Sequence, residues 1–282
     1  MKAKQKNNNS LYSDELCHAL FEDILIHDDI YPEAVLPDKV HLDYSQQQIS
    51  ECFNLCLRLW QLDVKREVFN KLLSKVCQSG ELNLEDQQRL KNIRAVFKHL
   101  RFAFVMLSKK HQVPLLFHGL IIIMGHLQDV IKNKQKKWII CTSYFLKCCS
   151  QKWLYSIIVK NIDSFESTDS IEFNNFINQE INFIRINLLA KKVTAKKFHD
   201  MRKVIGRQVA FYDNLKNLYP SQYHTNITEY LSTLNGMMGS LHDELIAKKF
   251  NQTQNYHKDL FEIPLEIRLK LDALIHKYQI QK

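Results

Sequence analysis

A chain of 282 residues with 45% hydrophobic content can bury a large core and suits one large domain or two moderate ones. Six glycines and five prolines are too few to punctuate an all-β chain, so long helices with few turns are predicted and the fold class is all-α. A net charge of +9 points to polyanionic partners such as nucleic acid, membrane or phosphate polymer.

Residues 1–44 read as an acidic, partly disordered arm, with nine acids against four lysines over Met1–Gln47, a balance of −5. Disorder is expected to about residue 12, then a short helix over Leu16–Ile26 and an irregular segment around Pro32 and Pro37. Met1–Ser10 is rich in Lys and Asn and leads into Asp14, Glu15, Glu22 and Asp23, which reads as a mature cytosolic start. Residues 45–282 read as a helical domain of two units, about 45–160 and about 165–282.

A helix is predicted over Ser45–Gln78, where Ile49, Cys52, Phe53, Cys56, Leu59 and Trp60 recur at helical spacing, with a break at Gln78-Ser-Gly80. The next helix opens on an N-cap at Asn83 or Asp86 and carries Leu90, Ile93, Phe97, Leu100, Phe104 and Leu107. Lys91, Arg94, Lys98 and Arg101 follow at i, i+3, i+7 and i+10, one cationic stripe on its other side. With no intervening acid these charges repel by about a few tenths of a kcal/mol per pair, and an anionic partner would relieve that.

Further helices are predicted over Leu115–Lys134, Ile139–Val159 and Ile171–Lys191, the last two joined by the loop Asp163–Ser170. Thr194 is a fair N-cap for a helix whose cations are Lys196, Lys197, His199, Arg202, Lys203 and Arg207. The final helices are expected over Thr225–Lys249 and Leu265–Gln279. The longest apolar stretch, Val113–Gly125, is interrupted by His118 and reads as too short to span a membrane.

One pattern occurs twice. Lys91-Asn-Ile-Arg94 leads through Pro114 to Gly125-His-Leu-Gln-Asp129, and His199-Asp-Met-Arg202 leads through Pro220 to Gly239-Ser-Leu-His-Asp243. Such a duplication predicts two similar supersecondary units. Positive charge concentrates where each copy begins: Arg89–Lys152 holds thirteen Lys and Arg against Asp129, and Arg185–Arg207 holds eight against Asp200. A lone lysine run is most often a solvated face; cations at equivalent points of a duplication favour an anion site.

At these residues, over roughly Asn83–Leu274, the chain resembles the CHAD (conserved histidine α-helical domain) family. That family carries a duplicated H-x-x-R helix continued by further Arg or Lys, each followed by a helix ending in a G-x-L-x-D type motif. The second copy matches through His199, Arg202, Arg207 and Leu234–Asp243, the first through Arg94, Lys98, Arg101 and Gly125–Asp129. The resemblance implies two pseudo-symmetric four-helix units whose basic helices line a shared cavity or groove. It implies non-catalytic binding of inorganic polyphosphate there, and a cytoplasmic protein associated with polyphosphate granules. The contacts it implies are Lys91, Arg94, Lys98, Arg101, His199, Arg202, Lys203 and Arg207. The chain departs from the pattern at Lys91, which stands at the histidine position, and at Gly206 and Val209, which replace basic residues.

Arg suits phosphate through its bidentate fork, Lys as a point charge and His as a pH-dependent partner. Asp129 and Asp243 read as structural groups that hold the basic side chains, and Gly125 and Gly239 as positions permitting close helix approach. His99, His111, His118 and His126 lack metal-ligand spacing and read as incidental, and Trp60, Trp138 and Trp153 read as core residues. The seven cysteines, Cys17, Cys52, Cys56, Cys77, Cys141, Cys148 and Cys149, are odd in number with no C-x-x-C, and read as mostly buried free thiols in a reducing compartment. With no P-loop, G-x-S-x-G or zinc motif, and no clustered carboxylates for Mg²⁺, no enzyme, metal or cofactor is expected. The alternative reading is a helical interaction protein whose basic surface binds nucleic acid or an acidic protein, with the acidic arm able to cover the basic groove.

Overall fold

The structure is a computed structural model that describes residues 12–278. Within them the chain is all-α: eleven helices and one two-residue antiparallel ribbon, in which Val193 and Thr194 (β1) pair with Phe261 and Leu260 (β2). Residues 1–11, expected to be disordered, lie outside the described residues, as does the expected end of the last helix at Gln279.

The chain divides into two compact units. Unit 1 takes the residues up to Phe21 and Phe53–Ser167; unit 2 takes Glu22–Cys52 and the residues from Thr168 onward. Two of the three divisions fall inside helices, α1 (Asp14–Leu25) and α2 (Gln46–Asp63), and the third in the loop at Ser167-Thr168. Unit 1 contains α3 (Arg66–Ser79), α4 (Leu84–Leu107), α5 (Leu115–Lys132), α6 (Lys136–Cys149) and α7 (Lys152–Asp163). Unit 2 contains α8 (Ser170–Leu189), α9 (Ala195–Leu218), α10 (Gln222–Phe250) and α11 (Leu265–Lys277). One copy of the repeated pattern thus falls in each unit, on α4–α5 and on α9–α10.

In unit 1, α3 packs on α4 and α6, and α5 packs on α4, α6 and α7. The apolar stripe of α4 is buried as its spacing predicts, with Phe97 set against Trp60 and Phe117 at ring separations of 6.0 and 5.5 Å. The Asn83 carboxamide oxygen accepts from the Asp86 amide at 2.7 Å, which fixes the N-terminus of α4. α5 is, by length and composition, long enough and apolar enough to cross a membrane, which the shorter Val113–Gly125 run conceals. Its Phe117, Leu120, Ile121 and Met124 face belongs to the core of unit 1.

Two predicted helices are each two helices. Ser45–Gln78 breaks at Val64-Lys65, where Lys65 is extended at φ −77° and ψ 116°. At 3.6 residues per turn an unbroken helix would put Phe69, Leu72, Leu73 and Val76 about half a turn away from Ile49, Phe53 and Trp60. The break brings both sets inward, and all are buried. Ile139–Val159 breaks at Ser150-Gln151, because Ser150 is buried and tied to α3: its hydroxyl donates to Asn70 Oδ1 and its carbonyl accepts from Asn70 Nδ2 at 3.4 Å.

In unit 2, α9 packs on α8 and α10, and α11 packs on α8 and α10. The expected cap holds: Thr194 Oγ1 accepts from the Lys197 amide at 3.2 Å. Residues 22–44, read from sequence as part of an arm, are tied to α10. Ser232 Oγ donates to the Ile26 carbonyl at 3.0 Å, Asn235 Nδ2 to the His27 carbonyl at 3.1 Å, and the Tyr31 amide donates to Thr233 Oγ1 at 2.9 Å. Buried Ser232, Thr233 and Asn235 therefore find partners in a strap of chain laid across the helix.

Candidate functional site: two arginines seated on helical glycines

Each unit places the Arg of its K/H-x-x-R sequence on the glycine of its G-x-L-x-D sequence. In unit 1 a Cβ built on Gly125 would lie 3.0 Å from Arg94 Nη2; in unit 2 a Cβ on Gly239 would lie 2.6 Å from Arg202 Nη2. The two glycines make room for a guanidinium rather than for a neighbouring helix backbone, which corrects the close-approach reading. Helical periodicity sets the partner groups as well, since the residue three past each glycine returns to the same face. That residue is Gln128 in unit 1 and His242 in unit 2.

Arg94 Nη1 donates to Gln128 Oε1 at 2.8 Å, while its buried Nε has no hydrogen-bond partner among the described residues. Neither Arg94 nor Arg202 has a carboxylate oxygen within 4.0 Å among the described residues. Both side chains are half-buried, and burial lowers their hold on the proton, opposed by Asp129 at Arg94 and by Asp243 and then Asp28 at Arg202. Asp129 and Asp243 themselves stand exposed, and act on the two arginines from beyond ion-pair distance. A half-buried guanidinium without a carboxylate retains unfilled donors, which an anion can take up.

The other sequence-derived contacts differ in their surroundings. Lys91 is exposed. Lys98 Nζ and the Arg101 guanidinium lie over the Phe102 ring at 5.5 and 5.2 Å from its centroid. Lys203 donates to Asp200 Oδ1 at 3.0 Å, and Asp200 also accepts from Lys196. Arg207 is bidentate to Glu180 of α8, with Nε donating to Oε2 at 3.0 Å and Nη2 to Oε1, and the side chains are only 14% and 11% exposed. The Arg207 fork is therefore already filled by a carboxylate.

His199 stacks on His242, with ring centroids 4.3 Å apart and planes inclined by 22°. Burial, then His242 and Lys203, lower His199 to about 3; burial and then Arg202 lower His242 to about 4. Both rings are thus neutral near pH 7. His242 Nε2 meets the Tyr256 hydroxyl at 3.0 Å, and His199 Nδ1 is buried without a partner among the described residues.

Gln128, His242, Tyr256 and Asp28 were not singled out from sequence. For Gln128 and His242 the signal was present, since both stand three residues after the repeated glycine. Tyr256 and Asp28 carry none, because they reach the site from segments outside the repeat. Among the described residues, no three His, Cys, Asp or Glu side chains are placed to hold a metal ion. No protein-family model, curated protein or solved structure matches this chain.

Proposed function

We propose that the protein binds inorganic polyphosphate without catalysis, through Arg94 in unit 1 and Arg202 in unit 2. The observation that carries the reading is the contact found once in each unit: a half-buried guanidinium on a helical glycine, without a carboxylate within ion-pair distance among the described residues. The choice of polyphosphate among anions comes from the CHAD-family resemblance of the motifs that build this contact. A flexible chain of repeated charge suits separate cationic points and needs no base-reading groups.

The two sites differ in strength. Arg94 shares its helix with Lys91, Lys98 and Arg101, and the one charged group that opposes the effect of burial on Arg94 is Asp129. Around Arg202 the cations Lys196 and Lys203 are balanced by Asp200, Asp243 and Asp28, and the histidine pair is neutral. Unit 1 therefore supplies most of the electrostatic affinity.

The test is a mobility-shift comparison of long-chain polyphosphate with single-stranded DNA and RNA of matched charge, at about 0.15 M salt. Tighter binding of polyphosphate, weakened more by Arg94→Ala than by Arg202→Ala, is expected. Equal or tighter binding of nucleic acid would refute the ligand assignment and favour the nucleic-acid alternative.

A further inference from the structure

The outer side of unit 1 reverses the usual order of a surface helix. On α6 the inward residues include buried Thr142 and Ser143, while Trp138, Tyr144 and Phe145 point outward at 59%, 65% and 54% exposure. Ile140 and Cys141 lie exposed on the same side, and at 100° per residue these five fall within one arc of the helix. Trp138 meets His126 of α5 at a ring separation of 6.3 Å, which joins this face to exposed Ile122 on α5. Trp153 and Ile157 on α7 are exposed as well. Trp138 and Trp153, read from sequence as core residues, are surface residues; of the three tryptophans only Trp60 is buried.

The segment that carries most of this face is positively charged. Between Val130 and Ile162 the chain has seven lysines, no arginine and no acid. Of these lysines only Lys136 has a carboxylate within ion-pair distance among the described residues, Glu81 at 3.4 Å. Exposed aromatic and aliphatic side chains ringed by lysines match the water–lipid boundary of a bilayer. Trp and Tyr rings settle at headgroup depth there, and Lys heads meet anionic lipid.

We propose that unit 1 docks on an anionic lipid surface through the outward face of α6 and the adjoining exposed residues of α5. Two other occupants fit less well. A second copy of the chain meeting this face about a two-fold axis would set lysines against lysines. An acidic protein partner would favour arginine, since protein interfaces are enriched in Arg and depleted in Lys, and between Val130 and Ile162 every Lys or Arg is a lysine.

The experiment is flotation of the full chain with phosphatidylcholine vesicles, with and without phosphatidylserine, read together with tryptophan emission. Flotation only with phosphatidylserine, and a blue shift that Trp138→Ser abolishes, are expected. Trp138→Ser with Phe145→Ser should weaken vesicle partition about tenfold or more. Both residues are exposed, so an unchanged thermal melt is expected and separates this loss from unfolding. Lys134→Gln with Lys137→Gln gives an independent arm and should weaken binding to anionic vesicles. Arg94→Ala with Arg202→Ala should float like the wild type. Flotation lost in that arginine variant but kept in W138S/F145S would place the lipid headgroup at the arginine sites and overturn the proposal. So would absence of flotation, or a concentration-dependent dimer abolished by W138S/F145S.

Discussion

A glycine inside a helix costs about 1 kcal/mol relative to alanine, so Gly125, Gly236 and Gly239 each need a physical reason. At Gly125 and Gly239 the space is filled by the end of a flexible arginine, at 3.0 and 2.6 Å from a built Cβ. Gly125→Ala and Gly239→Ala are therefore expected to leave the melting temperature unchanged or raise it, while displacing the guanidinium and lowering polyphosphate affinity. At Gly236 a Cβ would meet the Asp28 carbonyl oxygen at 2.1 Å, a backbone atom that cannot swing aside. Gly236→Ala should destabilise by about 1–3 kcal/mol in denaturant unfolding. The stacked histidines make a pH prediction. His199 and His242 take up protons near pH 6.5 when unfolded but only near about 3 and about 4 when folded. Acid therefore favours the unfolded chain: their contribution is intact above about pH 6.5 and is lost as pH falls through about 4 for His242 and about 3 for His199. His242→Gln, which installs the residue that unit 1 carries at this point, should flatten that decline by at most about 1.4 kcal/mol per pH unit.

Among the helices, the α8–α9 contact joins the Phe173 and Phe211 rings, 5.1 Å apart, with one half-buried ion pair. Removing Arg207 would leave the half-buried Glu180 unpaired, so Arg207→Ala should cost about 1–3 kcal/mol in stability and leave polyphosphate affinity unchanged in the folded protein. This separates Arg207 from Arg202, which the family resemblance groups together as contacts on one basic helix. Helix positions and caps were legible because apolar spacing and residues such as Asn83 and Thr194 act locally. The break at Val64-Lys65 was legible too, in the half-turn shift of the apolar stripe between Trp60 and Phe69, a change of phase that tracking spacing alone overlooks. Arg207's partner was not legible, since Glu180 stands 27 residues earlier on another helix. Nor was the exposure of Trp138 and Trp153: Ile139 and Leu146 alone mark the inward side of α6, and a helix with apolar residues all round does not announce which side is buried.

For the molecule as a whole, the repeated pattern falls once in each compact unit, but the units do not follow the sequence boundaries. Residues 22–52 belong to unit 2 through bonds to α10 some 200 residues away, such as Tyr31 to Thr233. Deleting residues 1–44 is accordingly expected to lower the thermal stability of unit 2, rather than to expose a masked groove at no cost. The central claim is that the two glycine-seated arginines contact the polyanion. It is tested most directly by polyphosphate affinity against salt concentration for the wild type and for Arg94→Ala with Arg202→Ala. Counterion release predicts that the logarithmic slope becomes shallower by about 0.7–0.9 for each lost contact, with weaker binding throughout. Parallel lines of equal affinity would contradict it.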